Sequence, residues 1–427
     1  MRLWIVFLIC TRVAVAQSVA DHEPGEATPI SLVQAEQWMR EKSPQLAQVK
    51  FAYEGSAADV VIAGESPNPQ LSVNTSAINY RAGVGSGPLA DKQMDSVLRL
   101  DQTIERGDKR DKRLQVARIA ERAAAADYAD SWRTSRLTLA NDYFDLKYAQ
   151  EVESLDVTLA NIAGNSLQAA RQRLQDGDMS RVDVARLEVE VARAEADLVA
   201  ARTNQRTAQV VLATQIGLNA DTVTLQAVDD WPAPINALAS AASATTRPDV
   251  QAALARQAQA LAAVDLARAQ RSRDITVGVQ FEHYPQPGVV SPNSLGVGFS
   301  IPLFLRNHYE GEIDRATADR RAADEVARAT ALAANNDQQQ AALAMSGARE
   351  HVNAFRDSVL ESARSAAAAA EYAYAHGALG LTDLLDARRA MQAVLLEALN
   401  ANAEYAKAQA AWRAATDTDS LQRPSKP

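Results

Sequence analysis

The sequence predicts a mainly α protein with a small amount of membrane β structure, assembled as two tandem helix-hairpin-helix repeats. Three observations predict it: an internal echo, long stretches of helical period, and short segments that alternate in the strand manner. Leu187, Val191, Ala194, Leu198, Ala201, Ala208 and Leu212 form an apolar stripe at steps of three, four and seven. Ala387, Met391, Val394, Ala398, Ala401, Ala408 and Trp412 repeat it 200 residues later. Gly177 with Asp183, and Gly377 with Asp383, stand upstream of the two stripes at that same offset. Ser43-Pro44-Gln45-Leu46 answers Arg247-Pro248-Asp249-Val250 at an offset of 204, and residues 101–117 overlay 300–316 at 199. The echo therefore spans turns, strands and helices together.

The first element is a leader. Met1-Arg2-Leu3-Trp4-Ile5-Val6-Phe7-Leu8-Ile9 is a basic start with an apolar core, and Ala14-Val15-Ala16 supplies the small residues that signal peptidase prefers. Residues 1–16 read as a secretory signal. The only cysteine, Cys10, lies inside it, and Leu8-Ile9 before it argue against a lipid anchor. A mature chain without thiols suits an oxidising compartment. Loss of Arg2 and Arg12 takes the net charge from −9 to about −11, which disfavours nucleic acid as a partner.

After a lead segment, 17–30, the first repeat is expected over 31–217. Its helices are expected near 31–64, 112–175 and 180–217, rich in Ala, Leu, Gln, Glu and Arg. The second repeat, 247–416, places helices near 247–272, 311–375 and 381–416. At about 1.5 Å per residue each long helix reaches about 95 Å, and the two shorter helices of a repeat nearly match that length. They are expected to stack end to end along the long partner as a tight antiparallel coiled coil, since alanine lets helices approach closely. An ordinary soluble bundle would share this pattern.

Strands are expected near 69–80 and 94–104, and again near 274–284 and 294–304. Leu71, Val73, Thr75 and Ala77 alternate with Ser72, Asn74 and Ser76, and Leu98 and Leu100 with Arg99 and Asp101. Ile275, Val277, Val279 and Phe281 alternate with polar residues or glycine, as do Leu295, Val297, Phe299 and Ile301. An apolar face opposite a polar one fits a membrane barrel wall, and fits a half-exposed soluble hairpin as well. Loops at 81–93 and 285–293 hold the Gly, Pro and Ser of hairpin tips. No run approaches the roughly 20 apolar residues of a spanning helix, so any membrane crossing is by strands. Four strands cannot close a barrel, and open edges then require several copies of the chain in a ring. A linker, 218–246, joins the repeats, and the tail 417–427 is expected to be disordered.

Strands between long helices, duplicated behind a signal peptide, with Ser66-Pro67-Asn68-Pro69 leading into the first strand, resemble the TolC family of outer-membrane efflux channels. The most specific stretch is Gly298-Phe299-Ser300-Ile301-Pro302-Leu303-Phe304, then Arg306-Asn307 and Gly311-Glu312-Ile313, joined by Arg247-Pro248-Asp249-Val250 and Leu384-Leu385-Asp386-Ala387. The likeness covers residues 30–416 and is nearest to the heavy-metal efflux branch of the Czc and Cus type. It implies a homotrimer with a twelve-stranded barrel in outer-membrane lipid and a helical tunnel through the periplasm. It also implies two partners, a periplasmic adaptor and an inner-membrane RND pump that supplies the energy.

The resemblance further implies a periplasmic gate. Asp383 and Asp386 fall where family members form rings that narrow the pore, and Tyr374 where a tyrosine helps hold the entrance shut. Asp183 falls where an acid bonds the first tip turn to the second, but the usual basic partner is replaced by Leu379. Gly177 and Gly377 open the tip turns that meet the adaptor. From residue chemistry alone, the glycines are helix C-caps, and Asp183 and Asp383 read equally as residues that cap the helices beginning there. His22, His283, His308, His351 and His376 are scattered without metal spacing, so neither a metal site nor a cofactor is expected. No nucleophile elbow or phosphate loop appears, and no enzyme is expected. The chain is thus expected to be a passive efflux channel, for metal cations or for drugs and organic solutes, with a soluble periplasmic coiled-coil scaffold as the alternative.

Overall fold

A computed structural model describes residues 27–78, 81, 83–87, 92–235, 244–285 and 292–416. The leader with Cys10, the early lead segment with His22, the centres of both hairpin tips, part of the linker and the tail lie outside the described residues. In order, the elements are β1 (Thr28–Ile30), α1 (Leu32–Lys42), α2 (Pro44–Gly64), β2 (Gln70–Ser76), β3 (Asp95–Ile104), α3 (Lys109–Gln175), α4 (Arg181–Ile216) and β4 (Leu225–Ala227). There follow α5 (Pro248–Ala269), β5 (Ile275–His283), β6 (Asn293–Ser300), α6 (Glu310–Ala354), a π-helical turn (Phe355–Val359), α7 (Leu360–Ala375) and α8 (Leu381–Thr416). The sequence helix, strand, strand, long helix, helix occurs twice. Among the described residues no helix is long and apolar enough to cross a membrane.

The structure corrects two of the expected helices. The stretch at 31–64 is broken because Pro44 has no N–H to continue α1; Ser43 turns to φ −67°, ψ 119° and Pro44 opens α2. Arg247-Pro248 opens α5 in the same manner. The stretch at 311–375 contains the π-helical turn, where Leu360 N–H reaches back to the Phe355 carbonyl. Such a bulge shifts the apolar stripe and lets Phe355 stay buried with Met345, Val352, Tyr405 and Trp412.

Two compact units are distinguished: Met1–Met39 with Asp142–Asp230, and Arg40–Asn141 with Trp231–Pro427. In the first, Tyr143 is fully buried and ties a parallel pair, β1 on β4, that the sequence did not announce. Its hydroxyl donates to the Ile30 carbonyl at 3.1 Å and accepts from the Val228 and Asp229 N–H groups at 3.2 and 3.1 Å. Strands of three residues are too short to show a period.

In the second unit α6 packs on α5 and α8. Ala334 of α6 meets Val250 near the start of α5, while the Gln338 amide donates to the Ala415 carbonyl at the end of α8 at 3.0 Å. The start of α5 and the end of α8 therefore adjoin along one partner, as their lengths suggested. Arg247 closes this junction. Only 3% exposed, it pairs with Asp249 at 2.6 Å and Asp337 at 3.2 Å and donates to the Ala334 carbonyl at 3.4 Å. Burial raises the Asp249 pKa, but the bond and charge of Arg247 outweigh it and hold the carboxyl below its ordinary range.

Candidate functional site

Four strands form one antiparallel sheet in the order β2-β3-β5-β6. Register puts like with like. Val73, Leu98, Phe281 and Leu295 share one row, and Leu71, Leu100, Val279 and Val297 the next. All eight are exposed in the single chain, as is Phe299 at 78%. At about 3.4 Å per residue the strands reach about 24–34 Å, enough for the apolar band of a membrane barrel.

The opposite face is polar and tied together. Arg99 pairs with Asp101 at 2.8 Å and donates to the Gln280 side-chain Oε1 at 3.2 Å; the Gln280 amide nitrogen donates to Glu282, which accepts from Ser294 at 3.2 Å. Glycine is required beneath this network. A Cβ on Gly278 would stand 2.1 Å from an Asp101 oxygen, and one on Gly296 3.0 Å from the Gln280 side chain. The alternation with glycine seen in the sequence is thus room for the side chains of neighbouring strands. The outer strands β2 and β6 each have one unpaired edge within the chain's sheet, so the wall is completed by other copies.

The two helix-helix turns share one design. After α3, the Asp178 and Gly177 N–H groups donate to the Arg173 and Leu174 carbonyls at 2.9 and 3.2 Å, with Gly177 at φ 84°. After α7, Ala378 and Gly377 donate to the Ala373 and Tyr374 carbonyls at 2.8 and 3.1 Å, with Gly377 at φ 74°. Both are glycine C-caps in which positive φ returns two N–H groups to the last turn.

The capping residue of α4 is Ser180 rather than Asp183. The Ser180 hydroxyl accepts from the Asp183 N–H at 3.1 Å and donates to its carboxylate at 2.8 Å, while Arg186 reaches the other oxygen at 3.4 Å. Asp383 holds the corresponding place in the first turn of α8, where Gly380 stands instead of a serine. Its carboxylate is exposed and has no bonding partner among the described residues. Asp386, also exposed, accepts from Arg389 at 3.3 Å. Tyr374 is half-buried on α7, and Leu379 is half-buried in the turn. The structure places Asp383, Asp386, Tyr374 and Gly377 within one hairpin; Asp183 and Gly177 sit in the other, which belongs to the other compact unit.

Sequence reasoning missed an ion pair in each hairpin. Arg171 meets Glu188 at 2.9 Å and Glu371 meets Arg388 at 3.1 Å. The offset of 200 applied to charges, rather than to apolar residues, would have found both pairs.

The profile of the family described as outer membrane efflux protein matches residues 37–218 and 240–417, nearly the whole of both repeats. The chain belongs to that family. Among relatives, the cobalt-zinc-cadmium resistance protein CzcC of Cupriavidus metallidurans is 26% identical over 302 residues, 69% of this chain and 71% of CzcC. The pyoverdine export outer membrane protein OpmQ of Pseudomonas putida is 30% identical over 272 residues, 61% of this chain and 57% of OpmQ. The outer-membrane channel OprN superposes with a TM-score of 0.77 at 20% identity, covering 92% of this chain and 91% of OprN. The fold is that of a TolC-type channel, and the soluble-scaffold reading is set aside. The channel lies in the outer membrane with its helices in the periplasm, works as a trimer with an adaptor and an RND pump, and is no enzyme. The apolar sheet face accordingly meets lipid, and the Arg99 face lines the lumen.

Proposed function

We propose that the channel is the passive, gated exit of an exporter of heavy-metal cations. Its gate is formed by Asp383 and Asp386, with Tyr374 and Asp183 helping to hold it closed, and the turns at Gly177 and Gly377 receive the adaptor. The observation that carries this reading is the exposed acid pair in the first two turns of α8, Asp383 in the first and Asp386 in the second. In a trimer it gives two rings of carboxylate on one axis, a potential that draws cations and repels anions. The likeness to CzcC supports metal cargo, while the likeness to OpmQ, a pyoverdine export protein, supports the rival. With Leu379 where a basic residue is usual, the closed state rests on contacts other than an ion pair at that position.

A deletion strain tests the cargo. Growth inhibition by cobalt, zinc or cadmium salts, reversed by the gene on a plasmid, is the expected result. Unchanged metal tolerance with new sensitivity to antibiotics or to loss of siderophore export would replace metal ions by organic solutes.

A further inference from the structure

Below the sheet three connecting segments meet, 105–108, 270–274 and 301–309. Ser272 fills the space beside Gly107, where a Cβ would stand 2.1 Å from its hydroxyl. The Arg106 N–H donates to Asp274 at 3.0 Å, and Arg271 donates to the His308 carbonyl at 3.1 Å. The Arg273 guanidinium lies 5.5 Å over the Phe304 ring, which meets Tyr309 edge-on at 5.3 Å.

The carboxylates closest to these bonds are already engaged, Glu105 by Arg113 and Asp274 by Lys109. Other acids, Asp108, Asp111, Glu310 and Glu312, stand at the starts of α3 and α6, where helix dipoles favour them. The side chains of Arg106, Arg273 and Arg306 are exposed, with no hydrogen bond or ion pair among the described residues. Beside them Leu303 and Leu305 are 68% and 81% exposed and continue the apolar run of β6 toward the periplasm.

Exposed guanidinium groups, one of them held over an aromatic ring, at the foot of a lipid-facing wall match the phosphate of a lipid whose chains lie above it. We propose that this junction binds an anionic glycerophospholipid of the periplasmic leaflet, with its phosphate on Arg273 and Arg306 and its chains against Leu303 and Leu305. The planar fork of arginine suits a phosphodiester, and the Phe304 ring fixes the Arg273 fork in place before the lipid arrives. A zwitterionic headgroup carries its own ammonium to these arginines, so charge selects the anionic lipid. The proposal rests on the channel lying in the outer membrane.

The test uses the full-length trimer in detergent, mixed with phosphatidylglycerol or phosphatidylethanolamine and examined by native mass spectrometry. Wild type is expected to keep phosphatidylglycerol about tenfold better than phosphatidylethanolamine. Arg273→Gln with Arg306→Gln is expected to lose that preference at unchanged trimer mass, and the Lys pair to keep part of it. Should the double variant fail to assemble, Arg306→Gln alone gives the same readout, since that side chain bonds nothing among the described residues. Equal retention of both lipids by wild type, or full retention of phosphatidylglycerol by the Gln variants, would overturn the proposal. Absence of the wild-type chain from the outer-membrane fraction would instead overturn the location on which it rests.

Discussion

Glu371 and Arg388 are joined at 3.1 Å across the hairpin of α7 and α8, and the positions 200 residues earlier are joined at 2.9 Å with the charges exchanged, Arg171 to Glu188. Hairpin geometry brings these two positions together whichever sign each one carries. Arg171, Glu188 and Glu371 are at least half solvated and Arg388 is 31% exposed, so each pair is worth about 0–1 kcal/mol. Arg388→Glu is expected to speed amide exchange in the adjoining helix turns, and adding Glu371→Arg to restore the wild-type rate. A double variant as labile as the single one would show that pairing is not what matters there.

Two glycines at similar φ should differ sharply in tolerance. Gly177, at φ 84°, has open space where a Cβ would go, so Gly177→Ala costs about 1 kcal/mol of local strain and leaves assembly intact. Gly107, at φ 74°, would drive its Cβ into Ser272. Gly107→Ala is expected to cut the yield of detergent-resistant trimer several-fold, and Ser272→Gly to recover part of it. Equal yields for the two alanine variants would refute the packing argument.

How far the sequence spoke depends on the range of each interaction. The stripe of α8, the glycine turns and the alternation around Val279 were legible because their information is local and periodic. The break at Pro44 was missed although proline cannot donate, because the helical period on either side concealed it. Tyr143, Arg247 and the network of Arg99 were silent. Tyr143 bonds residues 113 and 86 positions away, and Arg99 meets Gln280 at a separation of 181, which no pattern in a single chain encodes. At the helix-helix turns the glycine C-caps were legible but the N-cap of α4 was not, because a serine at 180 takes the cap that Asp183 was expected to make.

The sheet faces answer to different substitutions. Val279→Arg puts a charge toward lipid in the middle of the apolar band, at a cost of about 2–4 kcal/mol. Loss of the heat-resistant trimer on gels is the expected readout. Thr276→Arg, on the polar face, should assemble normally. Similar behaviour of the two would mean that the faces are assigned the wrong way round.

Two aspartates give opposite responses to pH. The Asp249 carboxyl is held below its ordinary pKa by Arg247, so its stabilisation is complete above the unfolded-state value and is lost as pH falls through the lower folded value. Asp156, 6% exposed, is pushed upward by burial and by the charge of Asp197. Its ionised form strains the fold above the raised value, and protonation relieves that strain as pH falls through it. Asp156→Asn should therefore raise the melting temperature at neutral pH and leave it unchanged in acid, while Asp249→Asn should lower it at neutral pH and matter less in acid. Parallel pH curves for wild type and either variant would remove that carboxyl from the balance.

Asp383 and Asp386, the aspartates proposed to form the gate, differ in their partners. Asp386 shares its charge with Arg389 at 3.3 Å, whereas Asp383 has no partner among the described residues. A carboxylate next to a guanidinium presents a weaker field to a passing ion than an unpaired one, and a threefold axis multiplies that difference. In planar bilayers, Asp383→Asn is expected to lower the potassium-to-chloride permeability ratio several-fold, and Asp386→Asn by less. Arg389→Gln, which frees Asp386, should raise the ratio above wild type and make Asp386→Asn costly when the two are combined. Asparagine keeps the shape of each side chain, so these shifts report charge and not repacking. If the ratio follows Asp386 and ignores Asp383, the pore axis runs past the second turn of α8 and not the first.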